Sequence, residues 1–146
     1  MIGDFLKRLM QPEPAPLEPL DFQLALTALL VRLARSDGYY SADEIIRIEK
    51  LAMTRFGLDQ QAAGALRTEA ETIEAEAPDT VRFTRAIKDA VPYEDRKSVI
   101  EAMWQVALAD GERDQHEDTL VRLVASLLGI SDKDSALARQ KVAGRA

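Results

Sequence analysis

An Asp-Gly corner occurs twice in this chain, as SDGYYSADE over residues 36–44 and as ADGERDQHE over residues 109–117. Each copy follows an apolar run of helical period, turns at the Asp-Gly pair and reopens a helix at Ser41 or Asp114. A Glu stands seven positions after each Asp, so Asp37 goes with Glu44 and Asp110 with Glu117. With a shift of 73 residues Ala34 aligns with Ala107 and Gly38 with Gly111; Phe56-Gly57-Leu58 then meets Leu128-Gly129-Ile130 after a one-residue gap. These matches fall at corners, not on apolar faces, where any two amphipathic helices would agree. A chain punctuated this way reads as one all-α domain, a compact bundle of about seven helices built around two pseudo-repeated helix hairpins that turn at Asp-Gly.

The elements follow from periodicity. Residues 1–19 form a leader: Ile2, Phe5, Leu6 and Leu9 lie at helical spacing, and the proline-rich QPEPAPLEP that follows cannot continue a helix. The domain occupies 20–146. Its first helix is expected over about 21–36, with Phe22, Leu26, Leu29, Leu30 and Leu33 on one face. The second covers 42–56 with Ile45, Ile48, Ala52 and Phe56 inward, and stops at Gly57. Asp59 caps a third over 60–76 with Ala62, Leu66, Ile73 and Ala77 inward. A fourth runs through Val81, Phe83, Ala86, Ile87 and Ala90, between Pro78 and Pro92. The fifth covers 94–109, the sixth 115–128 with Leu120, Leu123, Val124, Leu127 and Leu128, and the seventh starts at Ser131 and ends near 142. On this reading the first two helices form one hairpin, the fifth and sixth its copy, and the third and fourth bridge them. Tyr93 and Trp104 border the fifth helix as core or rim packing, or as an aromatic box.

Two explanations of the corners stand side by side. Gly suits the left-handed residue that closes a helix. Asp there is less expected, because the negative end of the helix dipole repels a carboxylate. The Asp is compensated either by backbone N–H groups of its own loop, as an Asx-turn, or by a cation held where Asp, Glu and loop carbonyls converge. The Glu divides in the same way, since Ser41-x-x-Glu44 and Asp114-x-x-Glu117 both read as capping boxes. A metal at Asp37 and Glu44, or at Asp110 and Glu117, would be hard and oxygen-seeking: calcium, magnesium or manganese. Asp43, Asp114 and His116 are further candidate ligands. A zinc-type site of Asp110, His116 and Glu117 is conceivable, although a solitary surface His is more often only that. An EF-hand is excluded, because here the Gly follows the first Asp directly.

Other chemistry has little to stand on. The chain has no cysteine and one histidine, and it contains no GxSxG elbow, phosphate-cradling glycine loop or HExxH pair. It is read as a non-enzyme, with a metal-dependent hydrolase as the remote alternative, because carboxylate pairs alone are too common to license one. With 25 acidic against 19 basic residues and a formal charge of −6, it lacks the footprint of a nucleic-acid binder. Glu69, Glu71, Glu74 and Glu76 on the third helix form a candidate docking surface for a basic protein partner, or simply a solvated face. Residues 2–10 are either an amphipathic contact for a membrane surface or partner groove, or a leader packed on its own domain. The expected location is the cytoplasm, with the leader allowing a peripheral position at the inner membrane.

At the corners, ARSDGYYSADEIIRIEKLA and ALADGERDQHEDTLVRLVASLLGI resemble the TerB-like family, named for tellurite-resistance protein B, and the likeness extends over about residues 20–143. The resemblance implies a bundle of about seven helices of the kind found in bacterial stress proteins, in the cytoplasm or at the membrane. It also implies metal binding by the corner acids, which here are Asp37, Glu44, Asp110 and Glu117. The same fold forms the N-terminal domain of a membrane-anchored DnaJ-type co-chaperone. This chain has no His-Pro-Asp signature, so J-domain activity is not implied.

Overall fold

The apolar run that follows the proline spacer forms α1 (Pro19–Arg35). The structure, a computed structural model, describes residues 19–36, 38–76, 81, 84, 85, 88, 93–108 and 115–144. After α1 come α2 (Ala42–Phe56), α3 (Gln60–Glu76), α4 (Tyr93–Ala107), α5 (Gln115–Leu127) and α6 (Asp132–Ala143). Among the described residues these six are the continuous helices, and there is no strand. The helix expected through 81–90 falls on a stretch where only Val81, Thr84, Arg85 and Lys88 are described, all four helical. The leader over 2–10 lies outside the described residues. Among the described residues no helix is long and apolar enough to cross a membrane.

Local chemistry sets the ends of these helices. α1 begins at Pro19, two residues earlier than expected, because proline at the first helical position gives up only an N–H that has no partner there. Ser41 caps α2, Asp59 Oδ1 accepts the Ala62 N–H at 2.7 Å, and Ser131 Oγ accepts the Asp134 N–H at 3.1 Å. Gly57 closes α2 at φ 66° and Gly129 closes α5 at φ 75°, both left-handed. After α5 the Ile130 N–H reaches Ala125 O at 2.8 Å and the Gly129 N–H reaches Ser126 O at 3.0 Å, the two bonds of a Schellman motif.

Packing repeats along with the caps. α1 packs on α2 and α3, and α2 packs on α3; α4 packs on α5 and α6, and α5 packs on α6. Between these units α1 meets α4 and α5, and α2 meets α4, the exchange pattern of a pseudo-two-fold pair. Burial follows the same register. Ile48 and Ala52 in α2 match Val121 and Ala125 in α5, all buried. Beyond the one-residue gap Ala63 and Ala70 in α3 match Ser135 and Val142 in α6, again all buried. The repeat is therefore a three-helix unit, and α3 is the counterpart of α6 instead of a bridge.

The core differs from the expected stripes in three places. Every residue of α1 from Leu24 to Val31 is buried, so the helix has neighbours on all sides. α3 is turned by about one residue: Ala63, Ala70 and Ile73 are buried with Leu66 packed beside them, while Ala62 is only partly covered. Leu123, expected inward on α5, is 46 % exposed. Trp104 is core, with its indole N–H donating to Ser135 Oγ at 3.4 Å, whereas Tyr93 stays at the rim and donates to Asp134 Oδ2 at 3.1 Å.

Candidate functional site

The first corner lies between α1 and α2. The Ser36 side chain and N–H both donate to Leu33 O, and the Gly38 N–H donates to Arg35 O at 3.0 Å with φ 82° at Gly38. The chain then extends through Tyr39 and Tyr40 to Ser41. Here the capping box is complete: Ser41 Oγ accepts the Glu44 N–H at 3.1 Å, and Glu44 Oε1 accepts the Ser41 N–H at 3.0 Å. Glu44 is only 3 % exposed, although it sits in the first turn of its helix. Glu117, at the matching position of α5, is likewise 3 % exposed. The other proposed ligands divide by position: Asp43 is exposed to solvent, while Asp37, Asp110, Asp114 and the His116 side chain lie outside the described residues.

A cavity of about 590 Å³ connects the elements that carry the two corners. Arg32, Arg35 and Ser36 from the end of α1 and Glu74 from α3 face Thr119, Leu120 and Leu123 from the first half of α5. Ser36 directly precedes Asp37, and Thr119 follows Glu117 by two residues. The end of α1 and the start of α5 thus share one rim.

That rim is braced by charges the sequence did not connect. Arg32 Nε and Arg35 Nη1 both reach Glu74, at 3.2 and 2.8 Å, and each guanidinium also donates to a backbone carbonyl of α3. Arg67 bridges Glu49 Oε2 and Glu71 Oε2, both at 2.6 Å. The Tyr40 hydroxyl donates to the same Glu71 oxygen at 2.8 Å, and Arg35 lies 5.2 Å from the centre of its ring. Burial, and then the Glu71 carboxylate, push the Tyr40 hydroxyl well above its ordinary range. Burial pulls the Arg67 guanidinium down, but the hydrogen bonds it donates to Glu49 and Glu71 outweigh that and carry the group upward. Of this network only the i, i+4 pair Arg67–Glu71 has a sequence signal.

The acidic residues of α3 therefore do not share a face. At about 100° per residue, positions two apart point away from each other. Glu69 and Glu76 are exposed, whereas Glu71 and Glu74 are half-buried against α1, α2 and the first corner. Among the described residues no three His, Asp or Glu side chains group as metal ligands would. Of the candidate ligands that are described, Glu44 and Glu117 are buried carboxylates and Asp43 is exposed.

Comparison with curated proteins gives no match, and neither does comparison with solved structures. The family model described as Tellurite resistance protein TerB matches residues 23–140, from the fifth residue of α1 to within the last turn of α6. It takes in both three-helix units, both corners and the braced rim between them, and on that match the chain belongs to the TerB family.

Proposed function

We propose that this chain is a non-enzymatic TerB-type module that binds a divalent cation at its acidic corners and passes that state to a protein partner within a bacterial stress or envelope system. The observation that carries the reading is the equal burial of Glu44 and Glu117, each 3 % exposed at matching positions of the repeat. A capping Glu works at a solvated helix start, so the cap alone gives no reason to bury it. A carboxylate removed from water calls for a compensating positive charge or a dense set of donors. Glu44 and Glu117, with Asp37 and Asp110 seven positions before them, are the residues that would hold the ion. Calcium, magnesium and manganese suit such oxygen donors. The cation would add positive charge at each corner.

A second reading rests on the completed box at Ser41 and Glu44: the corners are helix punctuation, and the protein acts only through its surfaces. The Glu44→Gln/Glu117→Gln double variant separates the two, because Gln keeps a capping oxygen but loses the charge. Calorimetric titration of the metal-stripped protein with calcium, magnesium and manganese should give saturable heat in the parent and none in the variant. Chelator should then lower the melting temperature of the parent alone, since a ligand bound at 100 times its Kd adds about 2.7 kcal/mol. No saturable heat from the parent at millimolar ion would sink the cation reading and leave the interaction module.

A further inference from the structure

The two three-helix units differ at one pair of positions where a difference has chemical consequences. In the first unit Glu49 of α2 and Arg67 of α3 form an ion pair at 2.6 Å, with Glu71 as a second acid on the same arginine. The repeat register places Arg122 of α5 opposite Glu49, at a shift of 73, and Arg139 of α6 opposite Arg67, at the shift of 72 that holds after the gap. The position matching Glu71 is Ala143. The second unit thus keeps the arginine of the pair, replaces the facing acid with another arginine, and drops the supporting acid.

The structure brings those two arginines to one cavity. Arg122, Arg139, Trp104, Ser135, Ala136 and Asp132 line a space of about 300 Å³ between α4, α5 and α6, at the small end of the range for ligand pockets. Among the described residues neither arginine makes an ion pair or a hydrogen bond. Arg139 instead lies over the Trp104 indole, 5.9 Å from its centre. The floor is firm, since Trp104 and Ser135 are buried and joined through the indole N–H. Asp132, exposed at the start of α6, is the one acid among the described lining residues and opposes anion entry.

We infer that this cavity binds a small carboxylate ligand, which takes the place Glu49 fills in the first unit. Two guanidinium forks suit a planar carboxylate bidentately, and the aromatic floor excludes water from beneath it. The site is separate from the acidic corners, and it stands or falls independently of cation binding there.

Trp104 is the chain's one tryptophan, so its fluorescence reports the cavity directly. The full chain is titrated with succinate, with inorganic phosphate, and with sodium chloride at matched ionic strength, and calorimetry repeats the succinate arm. Succinate should saturate, with phosphate weaker and chloride giving no saturable change. Arg139→Gln should weaken succinate at least about tenfold, as loss of a charge-assisted bidentate pair does. Arg67→Gln, at the matching position of the other unit, should leave it unchanged. Arg122→Glu should rebuild the ion pair of the first unit, abolishing succinate binding while raising the melting temperature. Saturation by phosphate alone would overturn the choice of carboxylate. A chloride response equal to that of succinate, or a lowered melting temperature in folded Arg122→Glu, would overturn the site.

Discussion

Tyr40 shows how one side chain can set the geometry of a whole corner. Its hydroxyl donates to Glu71 from the loop before α2, while the neighbouring Tyr39 is exposed, and so fixes the approach of the chain to Ser41. Tyr40→Phe should destabilise the fold by about 1 kcal/mol near neutral pH, the ordinary net worth of such a bond in a half-exposed setting. Its pH dependence has a definite sign. A phenol whose folded pKa is raised keeps its proton after the unfolded chain, near pH 10, has lost it. Its contribution is therefore whole below about pH 10 and is lost as the pH climbs above that. Urea unfolding at pH 8 and pH 11 should show the gap between parent and Tyr40→Phe narrowing at the higher pH. A gap that stays constant would argue against the Glu71 bond. The capping box that follows directly was readable from Ser41 and Glu44, because capping spans only one helical turn. The burial of Glu44 was not, because exposure is not set within one helical turn.

Among the elements, α3 departs most from its apolar spacing. Its inward face is set by Ala63, Ala70 and Ile73, and small residues there let α1 approach closely. The turn of about one residue carries Glu71 and Glu74 to the side where Arg32, Arg35, Tyr40 and Arg67 meet them. Glu74→Ala should cost roughly 1–3 kcal/mol in urea unfolding, between the values for exposed and buried pairs, since two arginines lose one shared carboxylate. Glu76→Ala, on the exposed side, should stay within about 0.5 kcal/mol. Equal effects from the two would contradict the division of the helix into a side packed on α1 and a solvent side. Should α3 present an acidic surface to a basic partner, Glu69 and Glu76 are its described exposed members.

For the molecule as a whole, one continuous core runs from Leu24 in α1 to Val142 in α6, so the two units have no separate interiors. α1 belongs to the first unit, packing on α2 and α3, and also packs against α4 and α5 of the second. Leu29→Ala, a fully buried truncation in the first unit, should cost about 2–5 kcal/mol. Trp104 fluorescence, which reports the second unit, should register that loss in full and coincide with far-UV circular dichroism. A Trp104 transition left at the parent midpoint would mean that the units unfold separately.

The sequence by itself determined the all-helical class, most helix ends, the caps at Ser41, Asp59 and Ser131, and the family. Each of these depends on interactions within about one turn, or on corner residues whose spacing survives in the chain. Only the tertiary structure decided that α1 is buried all round, that α3 belongs to the repeat, and that Arg32 and Arg35 share Glu74. It also decided that Arg122 and Arg139 face one cavity. Those outcomes depend on which helix lies against which, and the 3.6-residue period constrains a helix's own faces without naming the neighbour that will cover them.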